Sequence, residues 1–402
     1  MKHVKKAGLV AVAAALGLPW AVQAETSVTM YGKLYPEIVY GKVSGASDAG
    51  TSSLSNQTRL PNADYSGTGM ASSNSKFGLK GSEDLGGNLK AIFQLEMNVG
   101  VHDGSGGSSS SMWNRNTFVG LKGDLGTIKF GQMDTPYKEV GDTLSFLGVS
   151  SGNFVANSTI LSKHAFGTSS ASSFHLRRSN AITYESPKLN GFQFLAQYSK
   201  NTPDFTADDP KPWVFSTGVL YEQGPLYLAL AYEYHKDLYG GSRNMPTAAQ
   251  RDLAGKEAKD SAVRLTAGYR FTKNTRAEAN FAHLRLKESG GPAGDFESYR
   301  HNTWSLNVQH KIGATTLQAS YAQATAGSCT LVGDVECSTS GLQGRQFNIG
   351  ASYALSKRTY LFAIASKLIN GESARFNNLS LDGDISPGAD ITQVAVGLAH
   401  SF

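Results

Sequence analysis

Long apolar runs are nearly absent from the sequence, and this excludes membrane-spanning helices from most of the chain. The protein has 402 residues, and beyond residue 24 no apolar stretch approaches the roughly 18 residues that a spanning helix needs. Only two cysteines are present, and the acidic and basic side chains are nearly balanced in number. The nine histidines show no paired metal-ligand spacing. These features favour neither nucleic-acid binding nor a metal site, and they imply no cofactor.

The first 24 residues differ from the rest of the chain and have the organisation of a secretory signal. Basic residues come first, an apolar segment follows over residues 7–20, and the small residue Ala24 stands where a signal peptidase requires one. An anchor helix is the alternative, but the apolar segment is shorter than ~20 residues and contains glycine and proline. We therefore expect residues 1–24 to be cleaved, which leaves residues 25–402 with a net charge of +2.

The two cysteines, Cys329 and Cys337, lie eight positions apart. In an exported chain such a pair is expected to form a disulfide that closes a small surface loop. Two free thiols are the alternative. A metal site would need further ligands nearby, and the surrounding sequence offers none.

Side-chain polarity alternates with a period of two over most of residues 25–402. A strand separates such residues onto opposite faces, whereas a helix would spread them around its circumference. In the first segment one face carries Val28, Met30, Gly32, Leu34, Pro36, Ile38 and Tyr40, and the other carries Thr29, Tyr31, Lys33, Tyr35, Glu37 and Val39. Further apolar rows run through residues 89–99, 192–198 and 226–234, and through Tyr360, Phe362 and Ile364. The pattern predicts an all-β protein.

The connections between these strands fall into two alternating classes. Seven are short, at 83–88, 123–126, 186–191, 222–225, 272–274, 311–313 and 355–358. Eight are long, polar and rich in glycine and serine, at about 41–72, 102–112, 134–176, 201–212, 237–260, 287–300, 325–344 and 369–389. Short turns on one side and long loops on the other are typical of outer-membrane barrels, whereas a soluble sandwich does not sort its connections by length. The sequence therefore predicts a sixteen-stranded antiparallel transmembrane β-barrel.

The apolar face of each strand has to meet either a dry core or lipid. Sixteen strands enclose a wide interior, and the opposite faces are polar, so we expect a water-filled lumen with the apolar faces turned toward outer-membrane lipid. The terminal "VAVGLAHSF" would close the barrel and remove its free edges. Phe402 would then lie in an interfacial belt of aromatic residues.

Several segments together resemble one family of channels. They are "SVTMYGKLYPEI" (27–38), "SKFGLKGSEDLGGNLKAIFQLE" (75–96), "RNTFVGLKGDLGTIKFGQ" (115–132), "RRSNAITYESPKLNGFQFLAQYS" (177–199) and the terminal "VGLAHSF". In order and spacing they are similar to the trimeric, sixteen-stranded general porins of Gram-negative outer membranes, of the neisserial type. The resemblance implies an outer-membrane homotrimer, recognition of Phe402 by the barrel insertion machinery, and a third external loop, here 134–176, that folds into the barrel and narrows the pore.

Strand alternation also indicates which cations face the lumen. If Phe77, Phe118 and Ile182 face lipid, then the inward cations are Lys33, Lys76, Lys80, Arg115 and Arg177, while Arg178 points outward. By the resemblance, the basic wall of the porin constriction matches Lys33, Lys76, Arg115 and Arg177, with Lys80 beside them. The loop offers Glu139 and Asp142 as the facing acidic pair. Alternatively, individual charges pair with one another within the wall, or the loop is an ordinary solvated one.

Opposed charges across a narrow aqueous gap favour polar solutes over apolar ones. Because the cations outnumber the acids, we expect passive diffusion of small hydrophilic solutes and ions with a mild anion preference. A substrate-selective channel for small organic acids, with aromatic contacts from Tyr31, Tyr35 and Tyr137, is the alternative. No catalytic Ser-His-acid motif is present, so we do not expect an enzyme. A receptor or adhesin acting through the loops stays open.

Overall fold

The structure is a computed structural model, and it describes most of the chain beyond residue 25. The described residues are 26–402 without 56–58, 73–74, 105–111, 142, 150–152, 167–173, 201–211, 240–256 and 382. The predicted signal at 1–24 and the predicted pore residue Asp142 therefore lie outside the described residues.

The described residues form nineteen β-strands and two short helices. The strands are β1 (Thr26–Leu34), β2 (Glu37–Ser44), β3 (Tyr65–Ala71), β4 (Lys76–Gly86), β5 (Leu89–Asn98), β6 (Thr117–Gly123), β7 (Gly126–Asp134), β8 (Arg177–Glu185), β9 (Phe192–Lys200), β10 (Trp213–Gln223), β11 (Leu226–Lys236), β12 (Glu257–Arg270), β13 (Thr275–Ser289), β14 (Phe296–Ile312), β15 (Thr315–Ala324), β16 (Ser328–Leu331), β17 (Gly344–Ala354), β18 (Thr359–Asn370) and β19 (Asp390–Ser401). The helices, α1 (Pro136–Glu139) and α2 (Ser158–Leu161), lie between β7 and β8. Neither has the length and apolarity to cross a membrane.

These strands combine into sixteen crossings of one closed antiparallel sheet. β1 and β2 are two halves of the first crossing, and β3 and β4 are two halves of the second, because β2 pairs with β3 and β1 pairs with β4. β16 is a short addition that pairs with β14 outside the regular series. The last strand, β19, pairs with both β2 and the end of β1, which closes the ring. The prediction of a sixteen-stranded antiparallel barrel is confirmed.

The outer surface carries the apolar faces that the alternation predicted. Val28 and Val396, for example, are 62% and 56% exposed. One predicted outward row is wrong: Phe362 and Ile364 are 4% and 3% exposed and face inward on β18. Inside the barrel they form a cluster with Phe146, Phe154 and neighbouring apolar side chains of the segment between β7 and β8. This part of the inner wall is covered by protein rather than by water, so it tolerates apolar residues.

A second apolar cluster lies where the long connections meet. Leu54 from the connection after β2, Ile160 of α2, Phe166 and Phe376 are all buried in it. The predicted loop at 287–300 is shorter than expected, because β13 extends to Ser289 and β14 begins at Phe296. Strand structure therefore continues beyond the predicted barrel wall on this side.

The predicted disulfide between Cys329 and Cys337 is present. Cys329 lies in β16, and the bridge closes a loop of eight positions that packs against the second apolar cluster. It fastens the connection after β15 to the neighbouring long connections.

The C-terminal residue takes part in barrel closure. Phe402 and Gly32 exchange two backbone hydrogen bonds, each 3.1 Å long. The Phe402 ring lies over Gly32, where a Cβ atom would come within 2.4 Å of the ring Cζ. Only glycine leaves room for the ring here, so the first crossing and the last residue are matched in shape.

Candidate functional site

Two clusters of charged side chains lie on the inward face of the first six crossings. In the first cluster Glu96 is only 2% exposed and accepts hydrogen bonds from three residues. Lys76 Nζ lies 2.9 Å from its Oε2, and Arg115 Nε lies 2.7 Å from its Oε1. The Tyr31 hydroxyl donates to the same carboxylate at 3.0 Å. These residues come from four neighbouring strands or their ends, and the Glu96 carboxylate joins them.

Lys33 and Lys80 stand beside this cluster without a carboxylate partner among the described residues. The Lys33 ammonium donates to the carbonyl oxygen of Gly148 at 2.5 Å. Lys80 Nζ lies 5.2 Å from the centre of the Tyr31 ring, within the range of a cation–π contact. Lys80 is an exposed side chain, so its charge is open to the lumen.

The second cluster centres on Asp134, at the end of β7. Its Oδ1 lies 2.9 Å from Arg177 Nη2 and 2.9 Å from Lys138 Nζ. Arg177 also donates through Nε to Asn116 Oδ1 at 2.9 Å. Asp134 and Lys138 are four positions apart, and the second lies on α1. Enclosure by the barrel lowers the pKa of Lys138, while the Asp134 carboxylate opposes that effect.

The expectation that Arg178 points outward is wrong. Arg178 is 9% exposed, and its Nε donates to Ser199 Oγ at 3.3 Å. The register between β7 and β8 shifts there. Gly131 pairs with Ala181, but Met133 pairs with Arg178, so two positions along β7 correspond to three along β8. Asn180 has a left-handed backbone with φ of 51°. This bulge breaks the strict alternation and turns two consecutive arginines inward.

The charges of these clusters do not cancel. We call Lys33, Lys76, Lys80, Arg115, Lys138 and Arg177 the luminal basic group. Among the described residues their ion pairs engage only the carboxylates of Glu96 and Asp134. Within this set, six cations and two carboxylates leave an excess of four positive charges. An aqueous gap enclosed by protein makes such an excess more effective than it would be on an open surface.

The segment between β7 and β8 runs along the opposite inner wall. On α1, Tyr137 is fully buried and its backbone N–H donates to Ser216 Oγ at 3.0 Å. Around it pack alanines on the inward faces of β11 to β13, whose small side chains leave space for the segment. Next, Gly141 lies against the buried guanidinium of Arg264, where a Cβ atom would clash at 2.5 Å.

Inward-facing amides hold the rest of this segment through its backbone. Leu144 N–H donates to Glu278 Oε2 at 2.9 Å, and Asn307 donates to the Leu144 carbonyl at 2.6 Å. Further bonds join Gln318 to Leu147, Gln346 to Phe154 and Asn348 to Val155. In the main ring, β13, β14 and β15 each supply one such contact and β17 supplies two. The backbone polar groups that a buried loop would otherwise leave unsatisfied therefore have partners.

Of the predicted acidic pair, the described residues include only Glu139. It is an exposed side chain at the end of α1. The charged groups nearest to it include Glu185, Lys129 and Asp134, and Lys129 and Glu185 form an ion pair of their own. Glu139 therefore lies on the side of the lumen where β7 and β8 carry charges.

The aromatic contacts of the alternative function are largely inaccessible. Tyr35 and Tyr137 are both 0% exposed, and Tyr35 stacks on Phe362 with ring centres 4.2 Å apart. Tyr31 is partly exposed, but its hydroxyl is bound to Glu96. A solute in the lumen cannot stack on the first two rings.

A group of buried histidines anchors the second half of the segment. The ring centres of His164 and His301 are 5.1 Å apart, and Phe174 stacks on His235 at 4.6 Å. Burial, together with the rings of His301 and His235, lowers the pKa of His164 well below its usual range. Within the described residues no group of three or more metal-binding side chains converges.

Sequence reasoning did not single out several of these residues. Glu96 and the inward amides carry a recognisable signal, because they are polar residues at inward positions of strands. No signal in the sequence indicates that Lys138 pairs with Asp134 or that Arg264 is buried beneath Gly141. These contacts depend on how the long segment turns inside the barrel.

Comparison with known proteins agrees with this geometry. A family model described as Gram-negative porin matches residues 9–370. An outer membrane porin protein of Bordetella pertussis is 27% identical, covering 99% of this chain and all of the relative. The major outer membrane protein P.IB of Neisseria meningitidis serogroup B is 25% identical, covering 90% of this chain and 93% of the relative.

Solved structures show the same fold. An anion-selective porin from Comamonas acidovorans superposes with a TM-score of 0.67 at 22% identity, covering 94% of this chain and 100% of that one. A trimer form of OmpT from Vibrio cholerae gives a TM-score of 0.62 at 14% identity, covering 94% and 99%. The sequence-based resemblance is confirmed, and the chain belongs to the Gram-negative porin family, whose members are outer-membrane channels rather than enzymes.

Proposed function

We propose that this porin mediates passive diffusion of small hydrophilic solutes and ions with a mild preference for anions. One observation carries the proposal: the luminal basic group exceeds its carboxylate partners by four charges. A fixed positive excess lowers the energy of an anion in the gap and raises that of a cation. The superposition with the anion-selective porin of Comamonas acidovorans adds support at the level of the fold.

In this proposal residues 134–176 are the pore-constricting loop. The support is the course of the segment along the inner wall of β10 to β18, with its backbone bound to Ser216, Glu278 and the inward amides. A loop fixed to one side of the lumen leaves the passage between itself and the opposite side. That opposite side carries Lys33, Lys76, Lys80, Arg115 and Arg177 as the basic wall.

Glu139 and Asp142 are the acidic side of the proposed constriction. Glu139 is an exposed residue inside the barrel, which supports its contact with passing solutes. Enclosure by the barrel raises the pKa of its carboxyl group to about 7, so its negative charge develops around neutral pH. The role of Asp142 rests on the sequence, since it lies outside the described residues. Glu96 and Asp134 have a different role here, since each holds two cations in fixed positions and does not meet the solute directly.

We also propose that the protein assembles as a homotrimer through the lipid-facing sides of its first and last strands. Ile38, Val394 and Val396 form an apolar surface where β2 meets β19, and each is strongly exposed in the single chain. Phe402 is the proposed recognition signal for the barrel insertion machinery. Gel migration of the purified protein before and after heating tests the trimer, and a monomeric band without heating would overturn it.

The ion preference is tested by the zero-current potential of the reconstituted channel in a tenfold KCl gradient. We expect a potential with the sign that corresponds to chloride exceeding potassium in permeability. A potential of zero, or of the opposite sign, would overturn the proposal. The organic-acid alternative predicts instead that conductance falls sharply on adding one dicarboxylate at constant ionic strength, whereas a general porin follows the bulk ion concentration.

A further inference from the structure

A second group of cations surrounds a cavity at the short-turn end of the barrel. The cavity has a volume of about 230 Å³ and lies at the short-turn ends of β12 to β15. It is lined by Arg270, Lys273, Arg276 and Lys311, and otherwise by threonines, Asn274 and Gln309. All of the named lining residues belong to the described part of the chain, and none of them is acidic. In porins the short turns face the periplasm, so this cavity lies at the periplasmic exit of the channel.

Strand alternation places three of these cations inside the barrel. Arg270 shares its face with the buried Arg264 and Thr266, while its neighbours Tyr269 and Phe271 are exposed on the outer surface. Arg276 and Lys311 likewise follow the inward rows of β13 and β14. A ligand therefore reaches the cavity from the aqueous lumen, and a lipid headgroup does not.

The strand register brings like charges face to face. Arg270 lies directly opposite Arg276 in the antiparallel pair of β12 and β13. Like charges in directly opposed positions destabilise a sheet. Within the described part of the chain, none of the four cations forms an ion pair with a carboxylate. No direct ion pair therefore relieves the repulsion, although Glu222 and Glu278 line a neighbouring cavity that Arg270 and Arg276 share.

The closest carboxylate along β13 is already engaged by other groups. Glu278 accepts hydrogen bonds from the Leu144 backbone N–H and from Asn280, and also from the Thr143 hydroxyl. Arg276 is instead held in place by Gln309, whose Oε1 accepts from Arg276 Nε at 3.0 Å. Gln309 is held in turn by a bond from its Nε2 to Gln318 Oε1 at 2.9 Å. This chain fixes the guanidinium and leaves its terminal nitrogens available.

We propose that this cavity binds a small oxyanion, either inorganic phosphate or the phosphate or carboxylate groups of a permeating solute. A guanidinium presents paired N–H donors that match the oxygens of such groups, and lysine adds a point charge. The threonine hydroxyls of the lining supply further donors. An oxyanion between Arg270 and Arg276 replaces their mutual repulsion by two attractive contacts.

This inference rests on the proposed anion preference and extends it. The luminal basic group attracts anions in general at the constriction, whereas the cavity holds oxyanions at the exit. A bound oxyanion occupies part of the exit and neutralises its field. Chloride conductance is therefore expected to fall with oxyanion concentration in a saturable way.

The test is a titration of the reconstituted full-length channel with inorganic phosphate in planar bilayers at fixed KCl. Phosphate added on the periplasmic side is expected to reduce chloride conductance to a plateau. Arg276→Gln removes the fixed guanidinium, so the phosphate concentration for half-maximal reduction should rise about tenfold. Arg276→Lys keeps the charge but loses the paired donors, and an intermediate rise is expected. If either variant fails to insert as a barrel, Arg270→Gln replaces it with the same expectation.

Lys122→Gln is the matched control. Lys122 is an exposed lysine at the same rim on β6, on the opposite side of the ring, and it pairs in register with Lys90. It removes one charge from the same end of the lumen, so its effect should stay within about twofold. An equal shift in Arg276→Gln and Lys122→Gln, or no saturable effect of phosphate on the wild type, would overturn the proposed site.

The KCl zero-current potential separates this inference from the proposed function. Arg276→Gln is expected to leave that potential close to the wild-type value, because the luminal basic group is intact. Loss of anion preference in the wild type would overturn the proposed function. Even then, the phosphate titration of the wild type and Arg276→Gln would show whether the cavity at the exit binds oxyanions.

Discussion

Lys80 offers the sharpest test of the luminal charge excess. It is exposed, and its ammonium group lies 5.2 Å from the centre of the Tyr31 ring rather than against a carboxylate of the described residues. Replacing it by glutamate changes the luminal charge by two units and halves the excess of four. By contrast, replacing Arg115 leaves Glu96 without one of its partners, so structural and electrostatic effects would mix.

The size of the effect follows from Coulomb's law. A unit charge about 8 Å from the path of an ion contributes about 0.5 kcal/mol in water, and two units contribute about 1 kcal/mol. Chloride loses this amount and potassium gains it, so their difference changes by about 2 kcal/mol. Screening over the Debye length of about 10 Å at 0.1 M salt reduces this to about 0.9 kcal/mol. The permeability ratio of chloride to potassium should therefore fall about fivefold.

The assay is the zero-current potential of Lys80→Glu in a KCl gradient near 0.1 M, compared with the wild type. Arg285→Glu is the control, because Arg285 is an exposed cation on the outward face between the buried Leu284 and Leu286. It should leave the potential unchanged. The Lys80 effect should also shrink at 1 M salt, where the Debye length is about 3 Å. An unchanged potential in Lys80→Glu, or an equal change in the control, would refute the reasoning.

Three further predictions concern stability. Arg115→Gln removes one charged partner of the buried Glu96, so the free energy of unfolding should fall by about 2 kcal/mol; an unchanged midpoint in heat-induced gel migration would contradict this. Replacing Cys329 and Cys337 by serine removes a loop-closure contribution of about 2–3 kcal/mol from one connection only. Limited proteolysis should then cut near this loop while the barrel midpoint stays constant, and a loss of the whole barrel would contradict it. Below about pH 6.5 the unfolded His164 side chain binds a proton that its depressed folded pKa excludes, so stability should fall by about 1.4 kcal/mol per pH unit. Burial depresses the pKa of His175 as well, so His164→Phe should lower the slope of the melting temperature between pH 6.5 and 5 without abolishing it, and an unchanged slope would contradict the assignment.

The barrel itself could be predicted because its determinants are local in the sequence. Alternation along Val28 to Tyr40 and along Val394 to Leu398 assigns each face without knowledge of any contact. Connection length then separates the two ends of the barrel. The row Tyr360, Phe362 and Ile364 violated the rule because the same inner wall also has to hold a loop. From the strand alone, an apolar row facing lipid and one facing a packed loop look identical.

The candidate site could be predicted only to the level of which side chains face inward. Alternation assigned Lys76 and Arg115 to the inward face, but the carboxylate that joins them comes from the cross-strand register of β5. The argument for Arg115 took Phe118 to face lipid, and this is wrong: Val119 is the outward residue, 59% exposed, while the Phe118 ring lies inside, 5.0 Å from the Lys129 ammonium.

Arg178 was assigned to the wrong face because the bulge at Asn180 is set by the pairing of β8 with β7. Beyond such an irregularity, strict alternation no longer predicts which face a residue takes, and here both Arg177 and Arg178 lie inside.

The division of polarity inside the barrel has a physical reason that links fold and function. The side that meets the loop uses neutral amides such as Gln318 and Asn348, which hydrogen-bond to its backbone. Charged groups there would lose their hydration beneath the loop, and a net cost follows unless each has a partner. On the loop-bearing wall the loop covers the charged side chains of Arg264 and Glu278. On the opposite wall, Lys33, Lys76, Lys80, Arg115 and Arg177 stay at least partly exposed, so the transverse field proposed for the passage depends on how the loop is held.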